Sequence, residues 1–272
     1  QIANAHTVFN ITMTLIWVCL IKLMVRIVMT LIPDGKKGVE DPGSPIYLDE
    51  NIISQPAAAL QLVAKEIFRM SDQVRDILKK TIELVKNEEV KSIDGLKENG
   101  EQVERLGKCI TEYLAALFSS GSLTEQQAAQ TASLMCVLSD VERMGTLSVE
   151  MAECMLERSD RKYKYTPEAM DELQKSLKVL NKMFCDSLKA LQGDDGIEPG
   201  KMMKRKDKLL DLDIKMRKAH IERVNKGKCK ASLTAPFTNI LHLIDRMGNS
   251  CINLADVAES GTSMKYFMLE NK

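Results

Sequence analysis

The sequence predicts an all-α protein, with an N-terminal membrane helix followed by six long helices in two similar groups of three. Only 4% of the 272 residues are aromatic, and 14 Gly and 7 Pro are few for this length. That composition disfavours a many-stranded sandwich or barrel. Apolar residues also recur at three- and four-residue steps over long stretches, as in amphipathic helices. One sequence pattern then occurs twice, which indicates a duplication.

Charge and cysteine content exclude several classes of protein. Lys+Arg and Asp+Glu number 38 each, so the net charge is zero and nothing global predicts binding to nucleic acid. The seven Cys are scattered and form no CxxC pair, so neither a disulfide framework nor a zinc site is predicted. We expect the cysteines to serve as small apolar residues in a reducing compartment.

Residues 1–33 are predicted to form the membrane or interfacial helix. The run from Thr7 to Ile21 has no charge and reaches about 22 Å, against a hydrocarbon core of about 30 Å. It continues past Lys22 and Arg26, which share one helical face and are expected to reach lipid headgroups. Because the basic residues follow the apolar run, a signal peptide is disfavoured and the positive-inside rule places everything after residue 33 in the cytoplasm. A buried soluble helix is the alternative.

The predicted localisation is therefore the cell membrane, and the lipid bilayer is a predicted partner. The first residue is Gln1 rather than Met, so we expect the chain to begin inside a longer protein.

Residues 34–56 contain three Gly and three Pro and are predicted to be a surface linker. Two halves follow, at 57–160 and 161–272, with three long helices each. Ser122 and Glu125 have the spacing of a capping box at the start of the third helix. Thr166 and Pro167 are a predicted N-cap and first helical residue of the fourth.

The duplication is visible without gaps. Residues 138–153 read LSDVERMGTLSVEMAE, and residues 241–256 read LHLIDRMGNSCINLAD. The acid-Arg-Met-Gly core therefore occurs in the third helix of each half. Met beside Gly indicates a close approach of helices, which core packing alone would also explain.

An acid-Arg-hydrophobic-Gly pattern in two three-helix halves resembles PhoU-type phosphate-regulation domains. The chain also resembles bacterial sodium/phosphate cotransporters that end in such a domain. Three stretches carry this second likeness: QIANAHTVFNI (1–11), YLDENIISQPAAAL (47–60) and MRKAHIERVNKGKC (216–229). The resemblance implies a last membrane segment and a cytoplasmic regulatory domain of a sodium-dependent phosphate symporter, with phosphate and sodium handled by an upstream membrane domain. A membrane-tethered PhoU-type adaptor in phosphate-responsive signalling is the alternative.

The same resemblance implies metal binding by an acid and an Asp four residues later, which converge on one helix face. Here Thr146 follows Glu142 and Asn249 follows Asp245 at that spacing, so each half has lost a carboxylate. We therefore expect a divalent metal to bind weakly or not at all, and no other cofactor is predicted. The candidate ligands are the oxygen-bearing side chains along the two faces: Glu142, Glu153, Asp245, Asn249 and Asp256.

Residues 201–230 carry twelve Lys or Arg and four acids. Such a face is either a solvated surface or a contact with anionic lipid, and the predicted contacts are Lys22, Arg26, Lys204, Arg205 and Lys208.

Each of the three His is expected to be structural. The sequence contains no HExxH, no GxSxG and no Gly-rich phosphate loop, so an enzyme is not predicted. A homodimer is a further predicted assembly.

Overall fold

The computed structural model describes residues 2–31, 41–86, 92–159, 164–193 and 199–259. These ranges contain seven α-helices and no strand, which confirms the all-α prediction. The helices are α1 (Ile2–Leu31), α2 (Pro56–Lys86), α3 (Asp94–Ser119), α4 (Glu125–Ser159), α5 (Pro167–Leu191), α6 (Pro199–Asn225) and α7 (Thr234–Glu259). The described residues fall into two compact units, one within 1–41 and the other within 42–272.

The helix α1 of the first unit exposes large apolar side chains such as Phe9, Leu15 and Trp17. Two threonines on it bond back to the main chain, with Thr12 Oγ1 donating to the Val8 carbonyl at 2.8 Å. Among the residues that the structure describes, no helix is sufficiently long and apolar to cross a bilayer.

The predicted membrane-spanning helix at 1–33 and the localisation that depended on it are therefore wrong. The physical reason is already in the sequence. The uncharged run of about 22 Å is shorter than the hydrocarbon core. It also contains the polar residues Asn10, Thr12 and Thr14 and is followed by two basic residues.

The second unit is a bundle in which α2, α4, α5 and α7 pack together. The helix α3 lies against α2 and α4, and α6 lies in the same way against α5 and α7. The two groups meet where α2 contacts α5 and where α4 contacts α7. Every packing pair inside α2–α4 thus has a counterpart inside α5–α7. Since both groups share one compact unit, the predicted boundary at residues 160 and 161 stays a prediction.

Local sequence decides how the helices begin. The capping box of α4 is formed by Thr124 and Gln127, because the Gln127 N–H donates to Thr124 Oγ1 at 3.3 Å and the Thr124 N–H donates to Gln127 Oε1 at 3.0 Å. The predicted box at Ser122 is therefore wrong by two residues; Thr and Gln satisfy the same rule. The predicted cap of α5 is confirmed, since the Ala169 N–H donates to Thr166 Oγ1 at 3.3 Å.

Residues 42–55, which we call the strap, fold onto the start of the bundle. The carboxylate of Glu66 on α2 is fully buried and accepts the N–H groups of Ile46 and Tyr47 at 3.0 and 2.7 Å. Arg69 pairs with Glu66 and donates to the carbonyl of Ser44 at 2.7 Å. Part of the predicted linker is thus fixed, while residues 34–40 lie outside the described residues.

Candidate functional site: two duplicated seams

The duplicated stretches occupy equivalent environments on α4 and α7. Met144 and Met247 are both fully buried, and Gly145 and Gly248 are buried beside them. Ser148 Oγ lies 3.7 Å from the sulfur of Met247, so the two stretches meet across the α4–α7 contact. We call the contact of α4 with α3 the first seam and the contact of α7 with α6 the second seam.

Glycine allows each helix to approach its neighbours closely. A Cβ at Gly145 would lie 3.3 Å from Val74 and 3.4 Å from Val103. A Cβ at Gly248 would lie 3.2 Å from Leu209 and 3.4 Å from Lys206 Nζ. At each glycine the shortest of these distances is less than a usual contact between carbon atoms. Both halves therefore require a small residue at this position.

In the first seam Glu142 is half-buried between α4 and α3. Burial, and then the nearby carboxylate of Glu104, raise the pKa of Glu142. Gly107 leaves room for this carboxylate, because a Cβ there would lie 3.2 Å from Glu142 Oε2. Arg105 and Lys108 line the same groove.

In the second seam the equivalent acid has an ammonium partner. Lys206 Nζ on α6 lies 2.5 Å from Asp245 Oδ1 and donates to the Asp245 carbonyl at 3.1 Å. Asn249 Nδ2 lies 3.5 Å from Asp245 Oδ2, so it is turned toward the carboxylate as a donor. This acid is therefore held as one member of an ion pair.

The remaining predicted metal ligands lie apart from these two acids. Glu153 is about 16 Å from Glu142 along α4 and pairs with Lys97 at 2.9 Å. Asp256 is exposed on α7. Thr146 donates its hydroxyl to the Glu142 carbonyl at 3.2 Å.

The geometry therefore does not suit a divalent ion at the predicted ligands. Within the ranges described, no three His, Cys, Asp or Glu side chains converge to hold a metal. Asp245 and Glu153 each have a lysine where a cation would bind. Weak or no metal binding stays a prediction.

The basic residues predicted to contact lipid are also divided. Lys204 and Lys208 are exposed on α6, whereas Arg205 forms an ion pair with Asp186 of α5. The side chains of Lys22 and Arg26 lie outside the described residues. Contact with anionic lipid stays a prediction for the two exposed lysines.

Sequence reasoning missed Glu66 and the surroundings of His220. Glu66 lies three residues after Val63, on the apolar stripe of α2, and that position was the available signal for a buried carboxylate. His220 lies between Arg217 and Arg223 in the sequence, yet it is buried and stacked on Phe237 with ring centroids 4.6 Å apart. Burial, and then Arg223, lower the pKa of His220, which agrees with the predicted structural role.

Comparisons with known proteins show which proteins this chain is similar to. Residues 67–155 match the model of the PhoU domain family. The chain is 24% identical over 209 residues to the phosphate-specific transport system accessory protein PhoU homolog 1 of Thermotoga maritima, covering 76% of this chain and 88% of that protein.

Among solved structures, the crystal structure of PhoU from Pseudomonas aeruginosa is similar with a TM-score of 0.66 and 13% identity. The alignment covers 72% of this chain and 93% of that one. The bundle therefore has a PhoU-like fold, and the predicted resemblance to PhoU-type domains is confirmed at this level.

Proposed function

We propose that this protein is a helical accessory protein that tunes phosphate uptake by contacting a phosphate transport system. The observation that supports this most is the pair of equivalent buried Met-Gly seams within a PhoU-like fold. The relative from Thermotoga maritima is described as an accessory protein of phosphate-specific transport. The proposed role is regulatory and requires no catalysis by this chain.

The helical surface suits a role in protein contacts. Both seams are stabilised by groups within the chain, and the charged residues of α6 alternate with exposed apolar ones. Long, rigid helices present extended surfaces, and little conformational entropy is lost when a partner binds to them.

A second proposal assigns the regulated system to the sodium/phosphate cotransporters that the sequence resembles. One structural feature favours it: α1 exposes many large apolar side chains, including Phe9 and Trp17. Exposed apolar surface on this scale marks an interaction site. Helices of the carrier would cover α1 in this second case.

Phosphate uptake in cells with and without the gene tests both proposals. Cells grown with little phosphate are shifted to high phosphate, and entry of labelled phosphate is followed with and without a sodium gradient. We expect deletion to change the uptake rate after the shift. A change confined to sodium-dependent uptake would support the second proposal, and a change in sodium-independent uptake would support the first alone.

The control is re-expression of the full chain, which must restore the original rate. Unchanged uptake in the deletion strain under every condition would contradict both proposals.

A further inference from the structure

Residues 226–233, which we call the second corner, join α6 to α7 beside a cluster of three aromatic rings. His220 of α6 is 2% exposed, and its ring lies on that of Phe237 with the two planes 15° from parallel. Tyr165, which precedes α5, packs edge-on against the same phenylalanine, with the centroids 5.4 Å apart. The contact between the end of α6 and the start of α7 therefore depends on the His220 ring.

One ring nitrogen of His220 has a hydrogen-bond partner and the other has none. Nε2 lies 3.1 Å from Thr234 Oγ1 at the start of α7. Nδ1 is buried, and no described residue bonds to it. A protonated imidazole carries an N–H on both nitrogens. Protonation would therefore leave a buried donor without an acceptor, which is unfavourable.

The charges around His220 also oppose a proton. Arg223, one turn further along α6, donates to both carboxylate oxygens of Glu172 on α5, at 3.2 and 3.0 Å. That carboxylate is therefore engaged, and a protonated His220 would add a second cation beside the guanidinium. Burial, and then the charge of Arg223, lower the pKa of His220. Stacking of the cation on Phe237 offsets only part of this cost.

The other titratable groups of the surrounding elements supply no acid to the ring. Glu168 is exposed on α5, where hydrogen bonds from its own N–H and from the preceding cap residue lower its pKa. The second corner contributes the exposed Lys228 and the buried Cys229, and burial raises the pKa of the Cys229 thiol. The start of α7, residues 234–241, contains no titratable side chain.

We propose that His220 acts as a proton-operated latch, which holds the second corner closed when the ring is neutral and lets it open when the ring is protonated. The closed corner binds the proton less tightly than the open one. Closure is therefore favoured above the ordinary histidine pKa of about 6.5 and is weakened as pH falls below it. Since α6 belongs to the second seam, its packing against α5 and α7 becomes sensitive to acid.

The equivalent corner of the first half has no such latch. Gly121 after α3 and Gly227 after α6 both have positive φ, of 66° and 68°, so the two turns leave their helices in the same way. Residues 120–124, which we call the first corner, read SGSLT and contain no titratable side chain. The two corners are therefore a matched pair within one chain.

Hydrogen exchange of the full chain measures opening at both corners. The N–H groups of Lys228 and Cys229 donate to the Arg223 carbonyl and report on the second corner, and the Ala128 N–H donates to the Thr124 carbonyl and reports on the first. Exchange is compared at about pH 7.5 and about pH 5.5, after correction for the intrinsic rate. Protection at Lys228 and Cys229 should fall by about threefold or more, and protection at Ala128 should not change.

Two substitutions of His220 remove the proton site and preserve different contacts. His220→Phe keeps a flat ring against Phe237, and His220→Gln keeps a side chain that can bond to Thr234. Neither can titrate, so each should abolish the loss of protection at low pH, even if one of them packs less well. His242→Gln, at an exposed histidine of α7, is the matched control and should retain the loss.

Arg223→Gln tests the electrostatic part of the latch. It removes the neighbouring charge and frees Glu172 to pair with a protonated His220, so the loss of protection at low pH should shrink to about half or less. An undiminished loss in Arg223→Gln would contradict the proposal. So would equal losses in His220→Phe and the original chain, protection that does not change with pH, or an equal fall at both corners.

Discussion

The two seams have the same apolar construction and different electrostatics. Each buries a methionine and brings a glycine against a neighbouring helix. The acid before the shared arginine faces Glu104 in the first seam and Lys206 in the second. The comparison indicates that packing fixes the apolar positions of a duplicated bundle, while the partly exposed charges are free to differ.

The difference has a physical basis. A buried methionine contacts many atoms of several helices, so few alternatives fill the same space. A half-exposed carboxylate interacts with solvent and contributes about 1 kcal/mol or less through an ion pair. Its partner on the outer helix can therefore change with little effect on the fold.

The largest expected effect tests whether the apolar positions are equivalent. Met144→Ala and Met247→Ala should each lower the free energy of unfolding by about 2–5 kcal/mol, because each leaves a cavity in a closed core. Urea denaturation of the full chain measures both. Met203→Ala, at an exposed methionine of α6, is the control and should change stability by about 0.5 kcal/mol or less. A loss below about 1 kcal/mol at one of the two buried sites would break the equivalence.

The glycines should respond unequally to the same change. Gly145→Ala places a methyl group against Val74 and Val103, whose branched side chains have little freedom to move. Gly248→Ala places it against the ends of Leu209 and Lys206, which are flexible.

The gain in helix propensity of about 1 kcal/mol offsets the clash at Gly248 but not at Gly145. We expect Gly145→Ala to destabilise the protein by about 1 kcal/mol and Gly248→Ala to be neutral within about 0.5 kcal/mol. Thermal denaturation of both variants decides, and the reverse order would show that the first seam is the looser one.

The two acids should give effects of opposite sign. The folded state raises the pKa of Glu142, so it binds a proton more tightly than the unfolded chain does. Stability from this group is present at low pH and is lost as pH rises through the raised pKa. Glu142→Gln should therefore stabilise the protein at pH 7 by about 0.5 kcal/mol and have less effect near pH 4.

Asp245→Asn removes the ion pair with Lys206 and should destabilise the protein at pH 7 by about 1 kcal/mol or less, since the carboxylate is 49% exposed. Unfolding at both pH values measures the two variants. If both variants changed the free energy of unfolding in the same direction at pH 7, the proposed electrostatic difference between the seams would be contradicted.

The sequence predicted the helices and the repeated Met-Gly core because both depend on local periodicity and on a pattern visible in one dimension. It did not predict the pair of Lys206 with Asp245, because the two residues come from different helices and the register of α6 against α7 is set by packing. Glu66 was not predicted to be buried because glutamate is normally exposed, even at a position that continues an apolar stripe. The cap of α4 was misplaced because two adequate capping sequences lie two residues apart.

The prediction for α1 failed for a different reason. The apolar residues and the basic residues after them favour a membrane helix, but the run is too short and too polar to span the hydrocarbon core. The interruption by Asn10 and two threonines was as readable as the apolar residues themselves.

The smallest expected effect concerns metal ions and separates the seams once more. The second seam already holds a cation, the ammonium of Lys206, so a divalent ion gains little at Asp245. The first seam places Glu142 near Glu104, which offers two carboxylates but fewer ligands than Ca²⁺ or Zn²⁺ requires. We expect millimolar divalent ion to raise the unfolding temperature by about 1 °C at most, through weak binding of the folded state.

Calorimetry with and without chelator measures this shift, and the same two acid variants locate it. Glu142→Gln should abolish the shift, whereas Asp245→Asn should preserve it, because only the first seam has carboxylates near each other without a lysine bonded between them. Stoichiometric iron or zinc in protein purified without added metal would contradict weak binding. In that case the ion would either displace Lys206 from Asp245 or draw Glu104 and Glu142 together. Loss of the metal in Asp245→Asn would assign it to the second seam, and loss in Glu142→Gln would assign it to the first.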